Sequence, residues 1–173
     1  MAEVIKSYKQ TVPAMRFIGK KYTDNDRISG NFSAKWGEWF NQNWFSTISN
    51  QINKSINLNY DEITDYIGLM RWKDGQPFEY WIGLFTPETT LAPDGFEYVD
   101  FPESQLGVCW VYGKEGEVYG REAECSRKLM DEGFNIIPDA NNAWWFFERY
   151  SSQRFTNPDY QGNIILDICH FIK

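Results

Sequence analysis

Histidine, cysteine and long apolar runs are scarce in this chain, and each scarcity closes a class of function. The single histidine, His170, would have to serve any Ser-His-Asp triad. Nothing around it suggests one, so a structural place on the last strand is the better reading. The three cysteines, Cys109, Cys125 and Cys169, are odd in number, far apart and form no CxxC pair, which argues against a zinc site or a redox pair. No metal and no cofactor are therefore expected. Free thiols fit a reducing compartment. The opening MAEVIKSYKQ lacks the apolar stretch of a signal peptide, and no run reaches the length that spans a bilayer. The expectation is a cytoplasmic protein without membrane contact. GKEGEVYG has glycines but not the Lys-Ser/Thr pair of a phosphate loop, and reads as a turn before a helix. Basic runs are missing too. With 17 Lys and Arg against 24 Asp and Glu, the net charge of −7 repels a phosphate backbone and argues against direct nucleic-acid binding.

Aromatic residues are plentiful instead, at 18% of the chain with eight Trp, more than a small core needs. Large flat side chains in excess line ligand pockets as well as cores. Combined with an acidic surface they suit a hydrophobic, cationic or flat organic ligand. Taken alone, mild acidity needs no reason beyond solubility.

The patterning alternates strands and helices. TVPAMRFIGKKY, residues 11–22, reads as a strand with Pro13 at its start or on an edge, since proline cannot donate to a ladder. Phe32, Trp36, Phe40, Trp44 and Ile48 recur every four residues with Trp39 beside them, one apolar face of a long helix over about 32–52. Ser33 is its candidate cap. That stripe is read as core packing ahead of a binding surface. INKSINLNYDEITD reads as a loop or short helix. DYIGLMRW (65–72) and FEYWIGLFTP (78–87) read as a hairpin across the Asp-Gly of KDGQP. ETTLAPDGFEYVDFPES has turn residues, but its aromatics are costly to leave in water, so it reads as an ordered crossover. QLGVCWVY (105–112) is a strand. Residues 117–132 are a helix, with Val118, Cys125 and Leu129 plus Tyr119, Ala123, Ser126 and Met130 on its buried side, and Gly133 as its C-cap. The last strands are 143–151 and 163–173.

The order strand, helix, strand, strand occurs twice. It predicts an α+β fold of two pseudo-symmetric βαββ units, about 10–88 and 102–173, within a single domain over 1–173. One mostly antiparallel sheet would carry both main helices on one face, leaving the other face free for a ligand cleft at the junction.

The stretch NAWWFFERYSSQRF raises a sharper question. Strand side chains alternate, so Trp144, Phe146, Glu148 and Tyr150 share one face, and Trp145, Phe147 and Arg149 the other. A carboxylate among aromatics pays desolvation unless it gains a partner. A cationic ligand, or an internal Arg or Lys, could supply one, and Tyr150 could donate a hydrogen bond from the same face. The plainer alternative puts Glu148 near a strand end or on a solvated face, with Arg149 marking the other solvated side.

VPAMRFIGKKY, FEYWIGLFTP, FPESQLGVCWVYG, and WWFFERY followed by a turn with Pro158 and by GNIILDICHFIK, in this order and spacing, resemble the GyrI-like small-molecule-binding domain. That domain is also called the AraC-type effector-binding domain. The resemblance covers residues 12–173. It implies a pseudo-twofold pair of βαββ units around a ligand cleft, and an acid in the penultimate strand, in an E-x-Y setting, that faces the cleft. That acid maps onto Glu148, with Tyr150 as its neighbour. In multidrug-sensing relatives the acid attracts cationic aromatic compounds. In another branch it helps to activate water against cyclopropane-containing toxins, and others resemble a gyrase-inhibitory protein. The resemblance therefore implies a stand-alone binding module, a hydrolase with Glu148 as the catalytic residue, or a subunit with an unknown protein partner. The effector-type domain takes up the whole chain, so no helix-turn-helix region is expected. Arg149 stands where relatives often have an aliphatic residue. Further cleft candidates are Trp81 and Phe85 on the third strand, with Gly83 leaving room between the rings, Trp110 and Tyr112 on the fourth, and Trp39 from the first helix.

Overall fold

The computed structural model describes residues 1–52 and 64–173. Most of the segment read as INKSINLNYDEITD lies outside them. The strands are β1 (Glu3–Val12), β2 (Met15–Tyr22), β3 (Tyr66–Trp72), β4 (Glu79–Pro87), β5 (Glu97–Phe101), β6 (Ser104–Gly113), β7 (Trp144–Tyr150) and β8 (Ile164–Ile172). The helices are α1 (Ser33–Asn41), α2 (Trp44–Ser49) and α3 (Glu122–Asp131). All strands join one eight-stranded sheet in the order β1-β6-β8-β7-β3-β4-β2-β5, and every pairing is antiparallel. The two expected units are present as β2-α1/α2-β3-β4 and β6-α3-β7-β8. They meet along β3 and β7, where Leu69 pairs with Phe147.

Two strands went unread in the sequence, and both sit on an edge. β1 ends at Val12 and β2 begins at Met15, so Pro13 and Ala14 form a corner rather than the start of one long strand. β5 lies inside the expected crossover, and Pro102 and Glu103 link it to β6. Each lead strand pairs with the other unit's opening strand: β1 with β6, and β5 with β2.

This exchange forces the sheet to curl. β1 and β2 are six strand spacings apart in the sheet order, which would be about 29 Å if flat. Yet Val12 and Met15 are three residues apart in the chain and can span only about 11 Å. The sheet therefore closes on itself, and its concave side fills with Val12, Met15, Phe17, Ile67, Leu69, Trp81, Phe85, Phe101, Leu106, Val108, Phe147 and Cys169. The face expected to be free for a cleft is thus a packed core. Gly83 does not leave space there, because a Cβ on it would lie 2.1 Å from the Ile18 carbonyl oxygen.

The convex side carries the helices. Trp39, Phe45 and Ile48 seal α1 and α2 onto Ile18, Ile82 and Leu84. Val118, Cys125 and Leu129 seal the α3 region onto Cys109, Val111, Leu166 and Ile168. The expected long helix is two short ones, broken at Asn43, whose φ of 54° is a left-handed conformation that asparagine tolerates. Asn31, not Ser33, covers the start of α1, its Oδ1 accepting the Ser33 N–H at 3.0 Å. Gly133 ends α3 as read, with φ 90° and the Phe134 N–H returning to the Leu129 carbonyl.

Arg149 is not on a solvated side. It is fully buried on the concave face, where its Nε donates to Asp167 Oδ2 at 2.9 Å and its Nη1 to Gln10 Oε1 at 3.0 Å. Arg154 also reaches the fully buried Asp167, through Nε at 2.9 Å and Nη2 at 2.5 Å. One carboxylate thus joins two guanidiniums beneath β7, on the side away from Glu148.

Candidate functional site

Helices α1 and α3 sit over opposite halves of the sheet, so the described residues leave the convex face of β3 and β7 between them uncovered. The gap is a cavity of about 1580 Å³. That exceeds the roughly 300–1,000 Å³ of common small-molecule pockets and can hold a molecule of several rings. Its floor includes Tyr66, Met70, Tyr80, Phe146, Glu148 and Tyr150; Trp36 and Phe40 of α1 line one wall, and Glu122, Ser126 and Met130 of α3 the other.

Glu148 lies at the centre of this floor because of a glycine. In the ladder it pairs with Gly68 of β3. The missing side chain lets Tyr80 of β4 reach diagonally across the gap. The Tyr80 hydroxyl donates to Glu148 Oε2 at 3.3 Å, and the Tyr150 hydroxyl donates to the same oxygen at 2.5 Å. Trp36 Nε1–H in turn donates to Tyr80 Oη at 3.0 Å. A Cβ on Gly68 would fall 2.5 Å from Tyr80 Oη and 3.0 Å from Glu148 Oε2. Gly68→Ala is therefore expected to destabilise the protein by about 1–3 kcal/mol, as overpacking does, and to break the Tyr80–Glu148 contact. Urea unfolding and ultraviolet difference spectra of the tyrosines check both.

The electrostatics of the floor are one-sided. Glu148 is only 7% exposed, and no Lys or Arg pairs with it among the described residues. Its carboxyl pKa is raised to about 8: burial is the largest cause, Glu122 of α3 adds to it, and the hydrogen bonds from Tyr150 and Tyr80 pull against both. Burial beside the carboxylate also raises the Tyr80 and Tyr150 hydroxyls well above their ordinary values, so they remain donors. Among the described residues, the acids Asp65, Glu115, Glu122 and Glu148 stand around the cavity against Arg27 alone. Arg27 is already committed to Asp24 at 2.8 Å and to the face of Phe32 at 4.5 Å. The chamber is therefore a negative, aromatic-walled space suited to an organic cation and hostile to an anion.

The sequence matches no family model and no curated protein. Solved structures do resemble it. One is SAV2435 bound to tetraphenylphosphonium, with 14% identity over 98% of this chain and 94% of that one, at a TM-score of 0.67. Another is the EcmrR C-terminal domain, with 9% identity over 97% of each chain and a TM-score of 0.57. A third is a hydrolase from Listeria innocua, with 11% identity over 97% and 92% and a TM-score of 0.53. This chain shares the fold of all three.

Of the residues singled out in the sequence, the structure brings Glu148 and Tyr150 to the cavity, together with Trp144 and Phe146 of the same strand face. The other candidates lie elsewhere. Trp81 and Phe85 belong to the concave core. Trp110 packs against that core, its Nε1–H donating to Tyr8 Oη at 3.3 Å. Tyr112, on the same strand face as Trp110, hydrogen-bonds Asp159 and Asn163 near the turn before β8. Trp39 is fully buried beneath α1, bound to Tyr22 Oη at 3.0 Å. Four of these five were misplaced for one reason: the cleft was expected on the face that the curl fills. The residues missed are Trp36, Phe40, Tyr80, Gly68 and Glu122. Ala123 and Ser126, small residues on the same side of α3 as Met130, were the available sign that this helix leaves open volume toward the junction. Cys109, Cys125 and Cys169 are buried, and no group of metal-ligating side chains forms among the described residues. No described helix is long and apolar enough to cross a membrane.

Proposed function

We propose that this chain is a GyrI-like effector-binding domain that takes hydrophobic, cationic aromatic molecules into the cavity between α1 and α3, with Glu148 as their electrostatic anchor. One observation carries the reading. A carboxyl group sits buried at the floor of a large aromatic chamber, held by two tyrosines and by no basic side chain among the described residues. Such a group is costly to ionise in the empty site, and an entering cation supplies the missing partner. SAV2435, of similar fold, is seen with tetraphenylphosphonium. Trp36, Tyr66 and Phe146 would pack against the rings, and Tyr150 would hold the carboxylate in place. Titration of the protein with tetraphenylphosphonium, followed by tryptophan fluorescence, tests the reading: saturable one-to-one binding supports it, and none at millimolar concentration rejects it.

Tyr150 makes a finer prediction. Its hydroxyl favours the ionised form of Glu148. Tyr150→Phe is expected to move the midpoint of the pH dependence of cation binding up by about one unit and to weaken binding roughly threefold to tenfold at neutral pH. An unchanged pH profile would show that the hydrogen bond does not hold the anion.

A second reading has its own support. A carboxyl near pKa 8 beside two hydroxyls is suited to accept a proton from water at mildly alkaline pH, and one structure of similar fold is a hydrolase. Under it Glu148 is the general base that activates water against a strained, cyclopropane-type electrophile held between the aromatic walls. Product formation that disappears in Glu148→Gln would favour this reading, and stoichiometric binding without product would reject it.

A further inference from the structure

His170 projects from β8 onto the same floor. Its Nδ1 is sealed from solvent and has no hydrogen-bond partner among the described residues. Its ring stacks on Phe146 with centroids 5.6 Å apart and planes within 12°. The residue is 6% exposed and lines the cavity, which leaves Nε2 as the ring nitrogen that meets the open space. In the ladder Phe146 pairs with His170 and Glu148 with Ile168. His170 and Glu148 are therefore diagonal neighbours on one face, about 7–8 Å apart at the backbone.

The sealed side decides where the proton sits. A neutral imidazole carries one N–H and one bare acceptor nitrogen. Buried N–H groups without a partner are rarer and less tolerated than bare acceptors. Nδ1 is thus the bare nitrogen, and the hydrogen is on Nε2, pointing into the cavity. Burial holds the imidazole pKa down at about 4, so it is neutral and does not repel a cation at Glu148. Resting on the cation-binding reading above, we propose that His170 is a second recognition point, whose Nε2–H donates to an acceptor oxygen on the ligand that Glu148 anchors. The ligand class narrows to aromatic cations bearing a carbonyl or ether oxygen about one ring away from the charge.

The test uses a matched pair of probes, tetraphenylphosphonium and its analogue with a para-acetyl group on one ring. Wild type should prefer the acetyl compound by roughly threefold to tenfold, the range of one net hydrogen bond. His170→Phe, which keeps a ring on Phe146, and His170→Leu should bind both probes alike. As the chain has one histidine, its imidazole nitrogens give one pair of ¹⁵N signals, and these should show the Nε2–H tautomer without any substitution. A preference that persists in both variants, or a proton found on Nδ1, overturns the proposal while leaving cation binding intact. If neither probe binds wild type, the binding reading and the role of His170 fall together. If both bind but Glu148→Gln weakens neither, the anchor is wrong, and the preference ratio still decides His170.

Discussion

Replacing Glu148 by glutamine is expected to weaken tetraphenylphosphonium binding by about 30-fold or more at pH 8, because losing one partner of a buried charge pair costs at least about 2 kcal/mol. The substitution keeps the shape of the side chain and removes only its ability to ionise. The loss should depend on pH with a definite sign. A cation favours the ionised carboxyl, and in the empty site that form appears only near pH 8. Wild-type affinity should therefore rise by about tenfold per unit as pH approaches 8 and flatten above it. Glu148→Gln should lack this slope. The other groups facing the carboxyl do not supply it: burial keeps Tyr80 and Tyr150 protonated, burial with Glu115 and Glu148 nearby keeps Tyr119 protonated, and His170 stays neutral. Glu122 faces it from α3 and raises its pKa, so Glu122→Gln should move the plateau to lower pH. Fluorescence titrations between pH 6 and 9 on the three proteins check the set. Equal affinity of wild type and Glu148→Gln across that range would exclude Glu148 as the anchor.

Asp167→Asn is expected to destabilise the protein by about 3–5 kcal/mol, the usual cost of breaking a buried ion pair from one side. Arg149 and Asp167 are both fully buried, and Arg154 is bonded to the same carboxylate. Without that charge, two guanidiniums face each other under the sheet. Exchanging the fully buried pair for apolar residues, Arg149→Met with Asp167→Leu, should recover much of the loss, since well-packed apolar groups often equal a buried ion pair. Cation binding at the cavity should be unchanged in any variant that folds, because Glu148 and Arg149 project to opposite faces of β7. Urea unfolding measures the first effect and titration the second. A loss below about 1 kcal/mol in Asp167→Asn would mean that water reaches these groups and that the concave side is not closed.

Alternation within single strands was legible in the sequence; the shape of the whole sheet was not. The period-two pattern of WWFFERY is enough to put Trp144, Phe146, Glu148 and Tyr150 on one face, and the structure keeps them there. The repeat of strand, helix, strand, strand is likewise written in local periodicity. The curl depends on two edge strands. β1, with EVIKSYKQTV, is mostly polar and only half-buried, so hydrophobic patterning gives little sign of it. β5 lies inside a turn-rich crossover. Without them the sheet reads as flat with one free face, and the cleft is assigned to the wrong side. Arg149 follows the same logic: a charge alternating with aromatics looks solvated until Asp167 and Gln10, distant in sequence, close over it. The site residues from outside β7 were hidden because each belongs to a pattern with a simpler meaning. Trp36 and Phe40 belong to a helical stripe that is half core and half wall. Gly68 matters only through its register with Glu148, which no single strand reveals.

On the cation-binding proposal, Glu148 is protonated in the empty cavity and ionises as a cation enters. Titration calorimetry of tetraphenylphosphonium at pH 7, in two buffers of different ionisation enthalpy, measures that proton directly. Wild type is expected to release close to one proton per cation bound, and Glu148→Gln none. Binding by wild type without proton release, or the same release from Glu148→Gln, would contradict the proposal.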